Sequence, residues 1–279
     1  MTVVRLRAGW AVWPVAVGAV LAHLGLAVLA VVEYARLDWI RAVPFETGAV
    51  GVITASGVLA VAGAARVAWS TRRGGRALGK LLRSARRPVP APLRAAASDV
   101  GILDRLEVVA TDEAFAVTHG LIRPRVLVST GLVETLGPAE LAAVLVHERH
   151  HVQRRDPLRL LAARLVAGYG WYLPVLGWWA RRFALGRELA ADRAATAGAG
   201  VAGALLKLAD LPAPVAVAAV NPRGSLPARI AQLEGQPPTR RPRLGWIGAG
   251  TSVTSLAVLS IAGMCCAGMA SAVVAGGGW

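Results

Sequence analysis

Charge is scarce in this sequence. Asp, Glu, Lys and Arg make up 17% of its 279 residues, hydrophobic residues make up 55%, and the mean hydropathy is +0.53. So few charges exclude a disordered tail and a long coiled coil, and so much apolar material exceeds what an ordinary water-soluble domain buries. Cysteine is nearly absent: Cys265 and Cys266 are adjacent in an apolar run, which excludes a disulfide framework and a CxxC metal pair. No internal repeat is present, so a solenoid is excluded as well. Acidic residues are the scarcer sign, 16 against 31 Lys and Arg. The net charge of +15 points either to nucleic acid or to an anionic membrane face, and placement along the chain separates the two.

Three uncharged runs stand out. Residues 8–32 are long enough as a helix to cross a hydrocarbon core of about 30 Å, and too long for the apolar part of a cleaved signal peptide. Residues 47–65 form a shorter, Gly- and Ala-rich span, and no charge follows Arg243 up to Trp279. Between the second run and Leu93 lie Arg66, Arg72, Arg73, Arg76, Lys80, Arg83, Arg86 and Arg87, whereas the loop 33–46 carries only Arg36 and Arg41. Because Lys and Arg collect on cytoplasmic flanks, this asymmetry predicts a multi-pass protein of the cell membrane. A cytoplasmic N-terminus (1–7), a first span (8–32), an outer loop (33–46), a second span (47–65) and a basic cytoplasmic linker (66–95) follow in order. A cytoplasmic domain (96–243) and a last span with a short outer tail (244–279) complete the chain. The basic residues cluster beside spans, where topology and anionic lipid account for them, so direct nucleic-acid binding is not expected.

Within 96–243, short runs at 106–111 and 114–118 and the alternating RVLVS at 125–129 predict a small antiparallel sheet. RVLVS, the strand nearest the next helix, fits either an edge that pairs with an extended peptide or a core strand. Gly137-Pro138 opens that helix, and Asp156-Pro157 stops it and caps the next. On the helix stands His147-Glu148-Arg149-His150-His151. At about 100° per residue His147 and His151 share a face, the spacing with which two imidazoles grip one zinc. A shuffled chain of this composition contains the pattern in about 0.2% of cases, so chance explains it poorly. Glu148 interrupts a stripe of Leu141, Val144, Leu145 and Val152, and a carboxylate buried there without a task is costly. The competing interpretation is a solvated polar face beside Arg149, Arg154 and Arg155. His150 suits a surface or supporting position, and His23 and His119 suit structural ones.

A catalytic zinc takes three protein ligands and keeps one position open. Downstream, Glu188 and Asp192 lie four residues apart on a helix, in line with Leu185 and Ala195. Glu188 completes a His, His, Glu set, and Asp192 can accept the second ring N–H of a ligand histidine. The segment 165–180, LVAGYGWYLPVLGWWA, sits between the histidines and Glu188. Ligands of one ion lie on one side of a bilayer, so the segment is expected to break near Pro174 and to dip into the membrane interface or pack on the spans, a soluble core turn being the alternative.

The pieces FAVTHGLIRPRVLVSTGLVETLGPAELAAVLVHERHHVQRRDPLRLL, GWYLPVLGWW and RELAADRAA resemble the membrane-embedded zinc metallopeptidases of the BlaR/MecR-like antirepressor type, which are related to HtpX-like proteases. The resemblance implies a mostly α membrane protein: transmembrane helices plus a cytoplasmic α+β gluzincin-type metallopeptidase domain with a small antiparallel sheet. It implies one zinc per chain on His147, His151 and Glu188, with Glu148 as catalytic acid/base and Asp192 supporting a ligand. It further implies a cytoplasmic or membrane protein as substrate, a helix-turn-helix repressor in a signalling pathway or a quality-control client of HtpX type. In the sensor proteins of that family a penicillin-binding domain follows the last span. Here the sequence ends at Trp279, so beta-lactam sensing is not expected of this chain. A catalytically silent membrane adaptor, stapled by the same zinc, is the alternative from another functional class.

Overall fold

A computed structural model describes Gly25 and residues 44–196, 200–209, 225–236 and 244–276. The span expected at 8–32, apart from Gly25, and the loop expected at 33–46, apart from residues 44–46, lie outside the described residues. The chain forms two compact units, one of residues 1–68, 164–179 and 243–279, the other of residues 69–163 and 180–242.

Among the described residues the first unit is helical. Helix α1 (Pro44–Ala85) runs without a break from the apolar run at 47–65 into the basic stretch, and its first part belongs to this unit. In the second unit, a two-residue strand β1 (Arg86–Arg87), helix α2 (Ala91–Val100), β2 (Leu106–Val109), β3 (Ala116–His119) and β4 (Arg125–Ser129) lead into a short α3 (Thr130–Thr135). The motif helix α4 (Pro138–Arg154) follows, then α5 (Asp156–Tyr169) and α6 (Pro174–Ala195), each shared by both units. Helices α7 (Val201–Ala209), α8 (Leu226–Leu233) and α9 (Trp246–Gly276) complete the order.

Segment 165–180 breaks, as its glycines and proline require. α5 ends at Tyr169 and α6 begins at Pro174, whose missing N–H is harmless in a first turn. The turn between them carries orphan backbone groups, and helices of the same unit satisfy them. The Val175 N–H donates to Ser252 Oγ of α9 at 3.1 Å, and Ser255 Oγ donates to the Tyr172 carbonyl. Trp171 Nε1 donates to the Leu59 carbonyl of α1. α1 and α9 are the two described helices long and apolar enough to cross a membrane. Only about a fifth of their apolar windows is buried, and Val58, Val61, Val253 and Met264 stand more than half exposed, unlike the core helices of water-soluble proteins.

The second unit is built on a four-stranded sheet of order β1-β2-β4-β3. The sheet is mixed, contrary to the expected antiparallel one: β2 and β4 run parallel, with Leu106 beside Val126 and Val109 beside Ser129. The β3–β4 hairpin places β4 in the centre and leaves β3 at the edge, so RVLVS is a core strand with four of its five residues buried. One sheet face packs Val108, Val126 and Val128 against Leu132, Leu141, Leu145 and Val152, burying the apolar stripe of α4. The opposite face packs Val109, Phe115, Val117 and Leu127 under Leu78, Leu81 and Leu82 from the far part of α1.

The ends of α4 are fixed locally. The Gly137 N–H donates to Glu140 Oε2 at 2.8 Å, half of a capping box, and Lys207 Nζ meets the same oxygen. At the other end Arg155 adopts a left-handed φ of 50°, the only positive φ on a non-glycine among the described residues. That turn stops α4 and starts α5 at once. Asp156 does not act as a free cap there, as its sequence position suggested; its carboxylate is fully buried beside the motif.

In the first unit α1 and α5 approach each other closely at Gly63 and Gly168, where a methyl group on Gly63 would overlap the Gly168 carbonyl. Gly63→Ala is therefore expected to cost about 1–3 kcal/mol and lower the melting temperature of the solubilised chain by several degrees. Gly51→Ala, in open space on the same helix, is expected to leave it unchanged or raise it slightly. Equal melting temperatures for the two variants would contradict the contact.

Candidate metal centre

One turn apart on α4, His147 and His151 bring their rings edge to face, with Nε2 to Nε2 3.1 Å apart. Each ring is held from behind. His147 Nδ1 lies 3.0 Å from Asp192 Oδ1 on α6, and His151 Nδ1 lies 2.8 Å from Asp156 Oδ2 at the start of α5. A carboxylate takes the Nδ1–H of a neutral imidazole, which leaves its lone pair on Nε2. Both lone pairs then face the same point. Glu188 faces it too, with Oε2 3.7 Å from His147 Nε2 and Oε1 3.6 Å from His151 Nε2. All three side chains are buried, and their donor atoms lie within 4.8 Å of one another.

Each supporting carboxylate is itself clamped by an arginine. Arg229 of α8 meets Asp192 in a fork, Nε to Oδ2 and Nη2 to Oδ1 both at 2.7 Å, and its Nη1 is 3.4 Å from Glu188 Oε2. Arg187 Nε lies 2.8 Å from Asp156 Oδ1, and its Nη2 lies 3.5 Å from His150 Nε2. The site thus has two arms, His147–Asp192–Arg229 and His151–Asp156–Arg187. Asp156, Arg187 and Arg229 were not among the residues expected from the sequence. Arg229 lies 37 residues beyond its partner, out of reach of any local pattern, whereas Asp156, five residues after His151, sits where the turn after α4 must return.

This donor set fits a divalent cation. Four buried carboxylates, of Glu148, Asp156, Glu188 and Asp192, stand against the two guanidiniums of Arg187 and Arg229, leaving two negative charges within the set. Two imidazole lone pairs and a carboxylate at such distances also repel unless a positive charge lies among them. The protonation equilibria carry the same message. Burial opposes a charge on His147, yet the carboxylates of Asp192 and Glu188 beside it outweigh that cost and hold its pKa up at about 9. Burial works against the carboxylates as well, but His147 and the neighbouring cations press Glu188 and Asp192 down to about 2.

Glu148 lies beside the donors, buried, with one carboxylate oxygen receiving a 2.6 Å hydrogen bond from Thr118 Oγ1 on β3. A pocket opens between β3 and the helices, lined by Ala116, Val117, Thr118, Glu148, Pro157 and Leu160 together with the donor residues. His119 pairs with Glu107 at 3.0 Å within a strand network that includes Arg125, a structural place outside the centre. His23 lies outside the described residues.

Residues 41–233, more than half of the chain, match the family described as BlaR1 peptidase M56. Over 60 residues the chain is 42% identical to Protease HtpX homolog 2 of Methanosarcina mazei. It is 40% identical over 60 residues to the protein of the same name from Methanosarcina acetivorans. Each match covers 22% of this chain and 20% of the relative, so the chain spans about a fifth of the length of the curated relatives it matches.

Metal loading must displace the proton that His147 holds. Its pKa is raised from 6.5 to about 9, so that proton stabilises the chelator-treated fold fully below pH 6.5 and ceases to do so as pH rises through 9. Zinc affinity is accordingly expected to rise about tenfold per pH unit from neutrality toward pH 9 and then level off, with about one proton released per ion near neutral pH. Competition titrations across this range, with calorimetry in buffers of different ionisation enthalpy, check both; a flat affinity would remove the protonated His147.

Proposed function

The chain belongs to the BlaR1 peptidase M56 family, and from that premise we propose that it is a membrane-bound zinc endopeptidase. The observation that carries the proposal is the placement of the Glu148 carboxylate in one pocket with His147, His151 and Glu188, next to the edge strand β3. Three protein donors are the number used by catalytic zinc sites, whereas structural sites close the sphere with four. This count favours an enzyme over a silent adaptor stapled by its metal.

Zinc held by His147, His151 and Glu188 would supply Lewis acidity toward water and the scissile carbonyl. The protein groups do the rest. Asp192 and Asp156 keep the two histidines in the tautomer that offers Nε2, and Arg229 and Arg187 keep those carboxylates ionised and in place. Glu148 takes the proton of the attacking water and returns it to the leaving amine, so one carboxylate serves as base and then as acid. β3, and not β4, presents the free edge on which an extended peptide can pair as an added strand. The substrate is then a protein with an extended segment, cytoplasmic or membrane-bound. A helix-turn-helix repressor suits a signalling role, and misfolded membrane proteins suit a quality-control role.

Glu148→Gln keeps the volume and removes the base. It is expected to retain zinc, to lose hydrolysis by at least about 100-fold, and to hold substrate long enough for capture from native membranes and identification. Full proteolysis by this variant would dismiss Glu148 as base, whereas hydrolysis of no substrate by either the variant or the wild type would leave the stapled adaptor.

Orientation is proposed from the basic stretch after the second span: the peptidase unit faces the cytoplasm. Cysteines introduced at the exposed positions Gln153 and Arg181, one before and one after the broken segment, are expected to react with an impermeant reagent only from the cytoplasmic side. Labelling from opposite sides would overturn both the topology and the role of Glu188.

A further inference from the structure

Thr118 stands where two requirements of peptide hydrolysis meet. Its backbone lies on β3, the strand at the sheet edge beside the centre. The register fixes which of its groups are free. Ser129 N–H donates to the Phe115 carbonyl at 3.1 Å, so Phe115 and Ser129 form a hydrogen-bonded pair of the β3–β4 ladder. Hydrogen-bonded and non-bonded pairs alternate in an antiparallel ladder. Val117–Leu127 and His119–Arg125 are therefore bonded pairs, and Ala116–Val128 and Thr118–Val126 are not. The N–H and C=O groups of Ala116 and Thr118 consequently point away from β4, toward the free edge.

The side chain of Thr118 points elsewhere. Its hydroxyl is buried and donates to Glu148 Oε2 at 2.6 Å; the Glu148 carbonyl, at 3.3 Å, is the weaker contact. Glu148 Oε1 has no hydrogen bond from any described residue. One oxygen is thus anchored and the other is left to the pocket, where a proton has to be taken up. A β-branched side chain holds few rotamers, so the anchor is stiff.

We propose that Thr118 is the positioning residue of this site: its hydroxyl fixes the Glu148 carboxylate with Oε1 turned to the reacting water, from the same residue whose backbone receives the substrate strand. The inference rests on the role of Glu148 proposed above. Substrate pairing at the edge and the placement of the base are then mechanically joined, because a shift of β3 moves both. A loosely held Glu148 would sample geometries about 1 Å from the productive one, which costs on the order of 100-fold in turnover and little in binding.

The test uses the full chain in detergent or nanodiscs and a quenched fluorogenic peptide library member that the wild type cuts. Thr118→Val, close in shape and without a donor, is expected to lower kcat about 10- to 100-fold while KM and zinc content stay within about twofold. Thr118→Ser, which restores the donor, is expected to recover kcat to within about threefold. Thr118→Ala serves as the donor-free variant if Thr118→Val does not fold. Wild-type kcat in a folded donor-free variant would overturn the proposal, as would a Thr118→Ser variant no better than Thr118→Val, or a loss that appears in KM or zinc content alone. If Glu148→Gln is inactive and Thr118→Val fully active, only the anchoring role fails; if Glu148→Gln still turns over, the role of the base fails first.

Discussion

The constraint on which this structure turns is electrostatic: two buried imidazole nitrogens and a carboxylate face one another with no protein cation between them. Such an arrangement is unfavourable unless something positive sits at its centre, since unpaired charge in a buried site costs several kcal/mol. The fold supplies half of the compensation through Arg187, beside Asp156, and Arg229, which meets both Asp192 and Glu188. The remainder is met by protonating His147 or by binding a divalent ion. A site built this way trades stability of its empty form for affinity toward a metal.

Around that constraint the elements have divided labour. α4 carries both imidazoles because residues four apart share a helix face, and the left-handed Arg155 ends it abruptly enough for Asp156 to reach back under His151. α6 brings Glu188 and Asp192 by the same four-residue spacing, and α8 arrives last in sequence to lock Asp192. The sheet contributes little to the donors and much to access. Its apolar face supports α4, and its edge strand opens beside Glu148.

Between the histidines and Glu188 the chain leaves the peptidase unit, turns at 170–173 within the helical unit and returns. The turn is stable because Ser252, Ser255 and the Leu59 carbonyl satisfy its polar groups. Apolar composition alone does not separate a crossing helix from such a hairpin. The glycines and the proline do, since they mark where a helix stops.

The sequence by itself determined the local chemistry. His147, Glu148 and His151, and Glu188 with Asp192, were legible because a helix converts spacing into direction, and the break before Pro174 was legible because proline lacks a donor. The strands were legible too, to within a few residues, from alternation and turn residues. Their order was not: β2 pairs in parallel with β4 and β3 falls at the edge, and such pairing depends on connections and twist that no local pattern encodes. Asp156 looked like a helix stop, and Thr118 and Arg229 carried no signal, because their partners lie 5, 30 and 37 residues away and are chosen by packing. Side-chain type and spacing set what the chain can bind. Only the tertiary structure decides which oxygen faces which nitrogen, because long-range contacts of this kind form when separate elements bury their apolar faces together.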